Sequence, residues 1–292
     1  MYYGKKNTGR IAFEIINYAI IILVCIITLY PFIYVLACSF SSDPAILGGK
    51  VTFWPIGFQT HTYKLVFDYP NIGLSYINTI LYTVVGTAVN LVLTILGAYP
   101  ISRKDLPGRT PITFFFTFTM LFGGGLIPTY LVIKSLHLLD SFWVMILPTA
   151  VNTWNLIMMK TFFQATPVSL LEAARIDGSS ELGTLLRIVL PLSIPSIMTI
   201  GLFYAVGHWN DYFNAMIYLN TPEKFPIQIL LRDIVLQNSM DKQFASMQMG
   251  QRQGSEGVKY ATIMFATVPI LCVYPFIQKY FVKGVMLGSI KE

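Results

Sequence analysis

Thr166-Pro167-Val168-Ser169-Leu170-Leu171-Glu172-Ala173-Ala174-Arg175-Ile176-Asp177-Gly178-Ser179-Ser180, continued by Glu181-Leu182-Gly183 and closed by Ile188-Val189-Leu190-Pro191, separates two long apolar runs. Pro167 suits the first turn of a short helix, because its fixed φ fits that turn and its missing N–H has no helical partner there. Leu170, Leu171 and Ala174 give this helix an apolar stripe, and Gly178 can take the left-handed backbone that ends it. Thr184 and Leu185 then begin a second short helix that leads into the next apolar run. A helix that is apolar on one side yet carries Glu172, Arg175 and Asp177 must bury that side, on its own chain or on a partner.

The flanking runs set the fold class. Of 292 residues, 54% are hydrophobic and 12% charged, about half the charged share of a soluble domain. Six segments are apolar and long enough to cross a hydrocarbon core: 12–38, 76–101, 111–133, 142–163, 188–218 and 260–282. Backbone amides in lipid find no water, so each segment is expected to be helical. Runs such as Ile20-Ile21-Ile22-Leu23-Val24 do not alternate, which excludes a β-barrel. The expectation is an all-α, polytopic membrane protein: one transmembrane domain over 1–292 with six helices and a polar loop at 164–187. The stretch from Ile11 to Phe40 exceeds the roughly 7 to 15 residues of a secretory signal core, so it reads as an uncleaved first span.

Lys5, Lys6 and Arg10 precede the first span, and Arg103, Lys104 and Arg109 follow the second. Lys160, Arg175 and Arg187 bracket the loop after the fourth, and Lys279, Lys283 and Lys291 follow the sixth. The positive-inside rule places these segments, and both termini, in the cytoplasm. Segments 39–75, 134–141 and 219–259 then face outward, the last being long and including Gln248-Met249-Gly250-Gln251-Arg252-Gln253-Gly254. Trp54, Tyr63, Tyr69, Trp143 and Tyr218 lie near predicted boundaries, where amphipathic rings favour headgroups. The formal charge of +6 is scattered over short loops, which points to a lipid bilayer and topology rather than to nucleic acid. Cys25, Cys38 and Cys272 form no CxxC pair and support neither a disulfide framework nor a zinc site.

Catalytic chemistry is missing from the pattern. There is no HExxH, no GxSxG and no Cys/His cluster. Gly4-Lys5-Lys6 lacks the glycine-rich loop and the Ser or Thr that cradle nucleotide phosphates. The spans also hold few ionisable groups of the kind that carry protons in self-powered transporters, His208 and Asp211 being the nearest. Transport through such a chain needs an energy source on another subunit.

Glu172-Ala173-Ala174, three residues, Gly178, nine residues, Ile188, one residue, then Leu190-Pro191 resembles in full the EAA loop of permease subunits of ATP-binding-cassette importers. Trp209-Asn210-Asp211-Tyr212-Phe213, Gly123-Gly124-Gly125-Leu126-Ile127-Pro128 and the closing run from Tyr274 to Lys291 are similar to the carbohydrate branch. That branch includes permeases for complex oligosaccharides and the maltose-transporter second permease, and the resemblance covers nearly all of the chain. It implies the type I importer permease fold in a prokaryotic inner or cytoplasmic membrane. It also implies a second homologous permease, two ATPase subunits that bind ATP and Mg, and an extracytoplasmic solute-binding protein that delivers a carbohydrate. No cofactor and no enzymatic activity are implied for this chain itself. By the same resemblance Glu172, Ala173, Ala174, Arg175, Asp177 and Gly178 would belong to the coupling helix, which seats in the ATPase and turns its closure into rocking of the spans. The alternative is an importer of peptides or other polar nutrients with the same loop.

A sugar requires hydrogen-bonding side chains and an aromatic face in an enclosed pocket. Inside the expected spans these are Asn78, Tyr82 and Asn90, then Asn152, Trp154 and Asn155, then Tyr204, His208, Trp209, Asn210 and Tyr212. Each can also bond a neighbouring helix, and as a set they mark the expected pathway. Gly123 to Gly125 with Pro128 should break the third span, either to line that pathway or to allow close helix packing.

Overall fold

Residues 8–245 and 256–289 are described by a computed structural model, and every regular element among them is helical. Lys5, Lys6, Lys291 and the stretch from Gln248 to Gly254 lie outside the described residues. The helices are α1 (Thr8–Ser39), α2 (Asp43–Leu47), α3 (His61–Phe67), α4 (Ile72–Ser102), α5 (Arg109–Leu121) and α6 (Leu126–Ser135). Two 3-10 turns, Phe142–Met145 and Leu147–Thr149, lead to α7 (Thr153–Gln164), α8 (Val168–Ile176) and α9 (Glu181–Thr184). A π-helical segment, Leu185–Val189, joins α9 to α10 (Leu190–Leu192) and α11 (Ile194–Trp209). Then come α12 (Phe213–Tyr218), a 3-10 turn at Pro222–Lys224, α13 (Ile227–Ala245) and α14 (Glu256–Ser289). Among the described residues α1 and α4 are each long and apolar enough to cross a membrane, and three bent pairs qualify if each pair counts as one span.

The first of these bends is the expected break at Gly123 to Gly125, the other two fall within segments that read as unbroken spans, and each has a local cause. α5 and α6 meet at 114° across the glycine run, where Gly125 takes φ 82°. The 3-10 stretch Phe142–Thr149 meets α7 at 56°. There Asn152 starts a new helix as its N-cap, Oδ1 accepting the Asn155 N–H at 3.1 Å. The segment Glu181–Leu192 meets α11 at 83°, with Pro191 before the break and Pro195 after it. Neither ring nitrogen carries a proton, so the ladder lacks the bonds that residues 191 and 195 would make, although Ser193 N–H still donates to Val189 O at 3.0 Å. The second helix of the polar loop begins at Glu181, ahead of the expected Thr184, because the Ser180 hydroxyl caps it by accepting the Gly183 N–H at 3.1 Å.

The chain divides into two compact units. The first comprises Met1–Pro70 with Leu231–Thr267. Ala37, Cys38, Ala45, Ile46 and Val51 form its core, with Tyr34 and Tyr260 packed against them. Asp43 Oδ1 accepts the Gly257 N–H at 3.0 Å, which sets a carboxylate on the first turn of α14. The most apolar window of α1 buries none of its residues, as befits a surface that meets lipid or another subunit.

The second unit comprises Asn71–Leu230 with Val268–Glu292, and in it α4 packs against α7 and α11. The buried face of α4 includes Ser75, Thr79, Gly86, Asn90, Thr94 and Ala98, a mostly four-residue spacing of small or polar side chains that lets helix backbones approach. Gly86 is obligatory there, since a Cβ would lie 2.5 Å from His208 Nε2. Around the C-terminal half of α4, Ala98, Ile101, Leu156, Met159, Leu185, Val189 and Ile200 form a core. Around its N-terminal half, Tyr82 packs with Ile133, Val144, Met145, Ala215 and Leu219.

Candidate functional site

The polar loop folds as two short helices joined by complementary caps. Pro167 is the N-cap of α8, one position earlier than its expected place in the first turn. At the other end Gly178 takes φ 74°; its N–H donates to Arg175 O at 3.1 Å and the Ser179 N–H donates to Ala174 O at 2.9 Å. This pair of bonds is the Schellman closure, which satisfies the last carbonyls of the helix. A Cβ at Gly178 would meet nothing within 4 Å, so the backbone conformation and not lack of room calls for glycine. Of the expected apolar stripe, Ala174 is buried and Leu171 packs against the α4 core. Leu170 instead remains exposed, together with Val168 and with Ile176 at 86%. Glu172, Ala173 and Asp177 are exposed as well. The helix therefore buries one edge on its own chain and leaves a second face open, on which Val168, Glu172 and Ile176 follow one another at four-residue spacing, with Leu170 exposed on another side.

Arg175 turns towards its own chain. It bonds Asp105, in the turn after α4, and donates to Glu181 at 3.1 Å. Glu181 also accepts the Tyr99 hydroxyl at 2.8 Å and Arg103 Nη2 at 3.4 Å. Arg175 holds the Asp105 carboxyl below its ordinary range. Partial burial would raise the Glu181 carboxyl, but the Tyr99 and Arg175 bonds outweigh it and hold that group low too. Sequence reasoning missed Tyr99, Arg103, Asp105 and Glu181 as contributors to this region.

Of the expected pathway residues, Asn90, Asn152, Asn155, Tyr204, His208 and Asn210 come together around a cavity of about 370 Å³. Asn90 fixes the ring orientation of His208. Its Nδ2 donates to Thr149 O at 2.6 Å and Ala150 O at 3.0 Å, so its Oδ1 is the acceptor that faces His208 Nε2 at 2.7 Å. His208 therefore carries its proton on Nε2. The Tyr204 hydroxyl accepts the Asn152 N–H at 3.1 Å and lies 2.7 Å from Thr94 Oγ1. Gly207 adds open space to the wall, with nothing within 4 Å of where a Cβ would stand. The volume lies at the small end of ligand pockets, and the lining can both donate and accept hydrogen bonds. Asp211 and Asn214, which share this cavity, were not on the list of expected pathway residues.

The remaining expected residues, Asn78, Tyr82, Trp154, Trp209 and the exposed Tyr212, lie elsewhere. Asn78 Nδ2 donates to Glu223 O at 2.7 Å and the Tyr82 hydroxyl to Lys224 O at 2.9 Å, so both hold the turn at 222–225. Asp140 grips the same segment from the other side. Its carboxylate accepts the amides of Asn220 and Thr221 at 2.9 and 3.0 Å and pairs with Lys224 Nζ at 2.8 Å. Burial opposes the charge on Asp140, but bonds from Lys224, Thr221 and the two amides hold the carboxyl well below the usual carboxylate range. Trp154 is 61% exposed, and Trp209 is buried edge-on against Tyr76.

Residues 109–287 match the family described as Binding-protein-dependent transport system inner membrane component. Over 280 residues, 96% of this chain and 98% of the relative, the sequence is 48% identical to the Polygalacturonan/rhamnogalacturonan transport system permease protein YtcP of Bacillus subtilis (strain 168). It is 27% identical over 283 residues, 92% of this chain and 94% of the relative, to the Trehalose/maltose transport system permease protein MalG of Thermococcus litoralis. A chain from the crystal structure of a bacterial ABC transporter involved in the import of the acidic polysaccharide alginate superposes with a TM-score of 0.84. It shares 34% identity and covers 96% of this chain and 99% of its own.

Proposed function

This chain belongs to the family of binding-protein-dependent transport system inner membrane components, and on that premise we propose that it is one permease of an ATP-driven importer for a sugar or oligosaccharide. It pairs with a second homologous permease, two ATPase subunits and an extracytoplasmic solute-binding protein, in a prokaryotic cytoplasmic or inner membrane. Both termini and the α8–α9 loop face the cytoplasm. ATP and Mg are held by the ATPase subunits, and this chain supplies the path and the lever.

The open face of α8 carries the reading. Val168 and Ile176 are exposed on either side of Glu172 on one face of α8, whose C-terminal end is closed by Gly178, and exposed apolar side chains around a charge support a docked protein. Glu172, Ala173 and Asp177 meet the ATPase, Gly178 sets the turn, and Ala174 and Arg175 fasten the helix to the permease. ATPase closure then displaces α8 and rocks the helices joined to it, opening the cavity to one side of the membrane at a time. Asn152, Asn155, Tyr204, His208 and Asn210 exchange hydrogen bonds with sugar hydroxyls in transit. Asn78 and Tyr82 shape the outer end of the path by holding the 222–225 turn. The exposed Trp154 offers an aromatic face, and Trp209 steadies the wall against Tyr76. Relatives named for polygalacturonan, rhamnogalacturonan, trehalose and maltose support a carbohydrate over the peptide alternative.

The test is affinity purification of the tagged chain in mild detergent, followed by ATPase assays with binding protein loaded from a panel of acidic and neutral oligosaccharides. Co-purification of a second permease and an ATPase, with hydrolysis stimulated by one loaded sugar, is expected. In the same complex Glu172→Ala or Gly178→Asp should separate hydrolysis from uptake. A folded chain that purifies alone, or unaltered uptake by both variants, would overturn the reading.

A further inference from the structure

We propose that Glu181 is a positioning residue that fastens the coupling helix to α4, so that α4 carries the stroke together with the helices flanking the loop. The inference rests on the transport reading above and assigns part of its mechanism to Glu181, a spacer position of the EAA loop, and to Tyr99, Arg103 and Asp105 outside the loop.

The chain enters α8 from α7 and leaves α9 towards α11, so covalent connection alone would route the motion through those two helices. The side chains add a third route. Glu181 is the first residue of α9, held in register by the Ser180 cap. Its carboxylate takes the hydroxyl of Tyr99 and the guanidinium of Arg103, at the end of α4, and the guanidinium of Arg175, on α8. Arg175 reaches onward to Asp105, so α8 is pinned between the turn after α4 and the start of α9.

The two sides of this junction differ in burial. Tyr99 is buried and the Arg103 side chain is only 12% exposed, so the α4 anchors are fixed by packing. Arg175, Asp105 and Glu181 are each about half exposed, so their bonds add little to the stability of the fold. Their contribution is alignment. Beyond the junction α4 is one continuous helix of 31 residues. It bonds the cavity wall through Thr94 to Tyr204 and Asn90 to His208, and the 222–225 turn through Tyr82 and Asn78. A displacement of α8 that is passed to Tyr99 and Arg103 thus reaches both the cavity and the far turn along a single rod.

The experiment uses the complete assembly in proteoliposomes, with both permeases, both ATPases and sugar-loaded binding protein, and measures sugar imported per ATP hydrolysed. Glu181→Gln keeps the shape and the Tyr99 hydrogen bond but removes the charge that holds both arginines. It should lower the ratio at least threefold while assembly and Tm stay at wild-type values, and Glu181→Asp should recover most of the loss. Arg175→Gln, which opens the junction from the α8 side, should lower the ratio likewise and serves if Glu181→Gln fails to assemble. A wild-type ratio in the assembled Glu181→Gln and Arg175→Gln complexes overturns the positioning role and leaves the transport reading standing. A wild-type complex whose hydrolysis ignores every loaded binding protein overturns both.

Discussion

Two carboxylates organise the two ends of α4, and they do so with different kinds of partner. Near its N-terminal end, Asp140 accepts two backbone amides, a hydroxyl and one ammonium, all from residues 220–224. Near its C-terminal end, Glu181 accepts only side chains: a phenol and two guanidinium groups. Backbone donors have no rotamers to explore, so the Asp140 end is locked in one geometry. At the Glu181 end Tyr99 and Arg103 are fixed by packing, but Arg175 and Glu181 are half exposed on long stems, so the junction can follow a moving α8 while staying bonded. The end proposed to face the binding protein is thus built to keep its shape, whereas the end proposed to face the ATPase is built to stay attached during displacement.

The comparison breaks most directly in the middle of the rod. Gly86 lies between the two ends, and any Cβ there would stand 2.5 Å from His208 Nε2, whose bond to Asn90 spans α4 and α11. Gly86→Val should destabilise the chain by on the order of 3 kcal/mol, because a buried ring must move to admit it. Thermal unfolding in detergent measures this, and a variant as stable as wild type would mean that α4 and α11 are not held in rigid register.

Next in size is the locked end. Asp140→Ala should cost about 2 kcal/mol, since it removes the charged acceptor of two amides and the Thr221 hydroxyl, while Lys224 keeps its bond to the backbone carbonyl at position 140. The sign with pH follows from the depressed carboxyl. Its stabilisation is present above the ordinary carboxylate value of about 3.9 and is lost as the pH falls through the lower native value. Wild type should therefore lose stability on acidification more steeply than Asp140→Ala. Parallel acid titrations of the two proteins would assign the acid sensitivity elsewhere.

The contrast between the ends also explains what could be read from the residues in order. Pro167, Gly178 and Ser180 act on their immediate neighbours, so the outline of α8 and its left-handed stop are visible in the local pattern. The break at Gly123 to Gly125 is legible for the same reason. The breaks at Asn152 and Ser193 fall inside long, mostly apolar segments, although Pro148, Asn152, Pro191 and Pro195 were available as signals. Glu181 could not be assigned a role, because Tyr99 and Arg103 stand 82 and 78 positions away and an ion pair imposes no period on either partner. Asp140 likewise sits in a short loop without a motif, its partners some 80 positions further on. Of the polar residues in the spans, composition marked a set, but only packing separates Asn152, Asn155, Tyr204, His208 and Asn210 at the cavity from Asn78, Tyr82, Trp154 and Trp209 away from it.

The smallest effect is the sharpest test of the adaptable end. Tyr99→Phe removes one hydroxyl from Glu181 and keeps the ring that packs edge-on against Phe163 and beneath Arg103. Water can replace that donor at a carboxylate already half exposed, so the cost should be about 0.5 kcal/mol, the low end for a single hydrogen bond. Sugar imported per ATP should fall less than in Glu181→Gln, because both guanidinium bonds survive. A larger fall in Tyr99→Phe than in Glu181→Gln, which keeps the Tyr99 bond, would place the link in the buried phenol, whose ring cannot swing. The end near Glu181 would then be locked like the end near Asp140, and the difference between them would reduce to exposure alone.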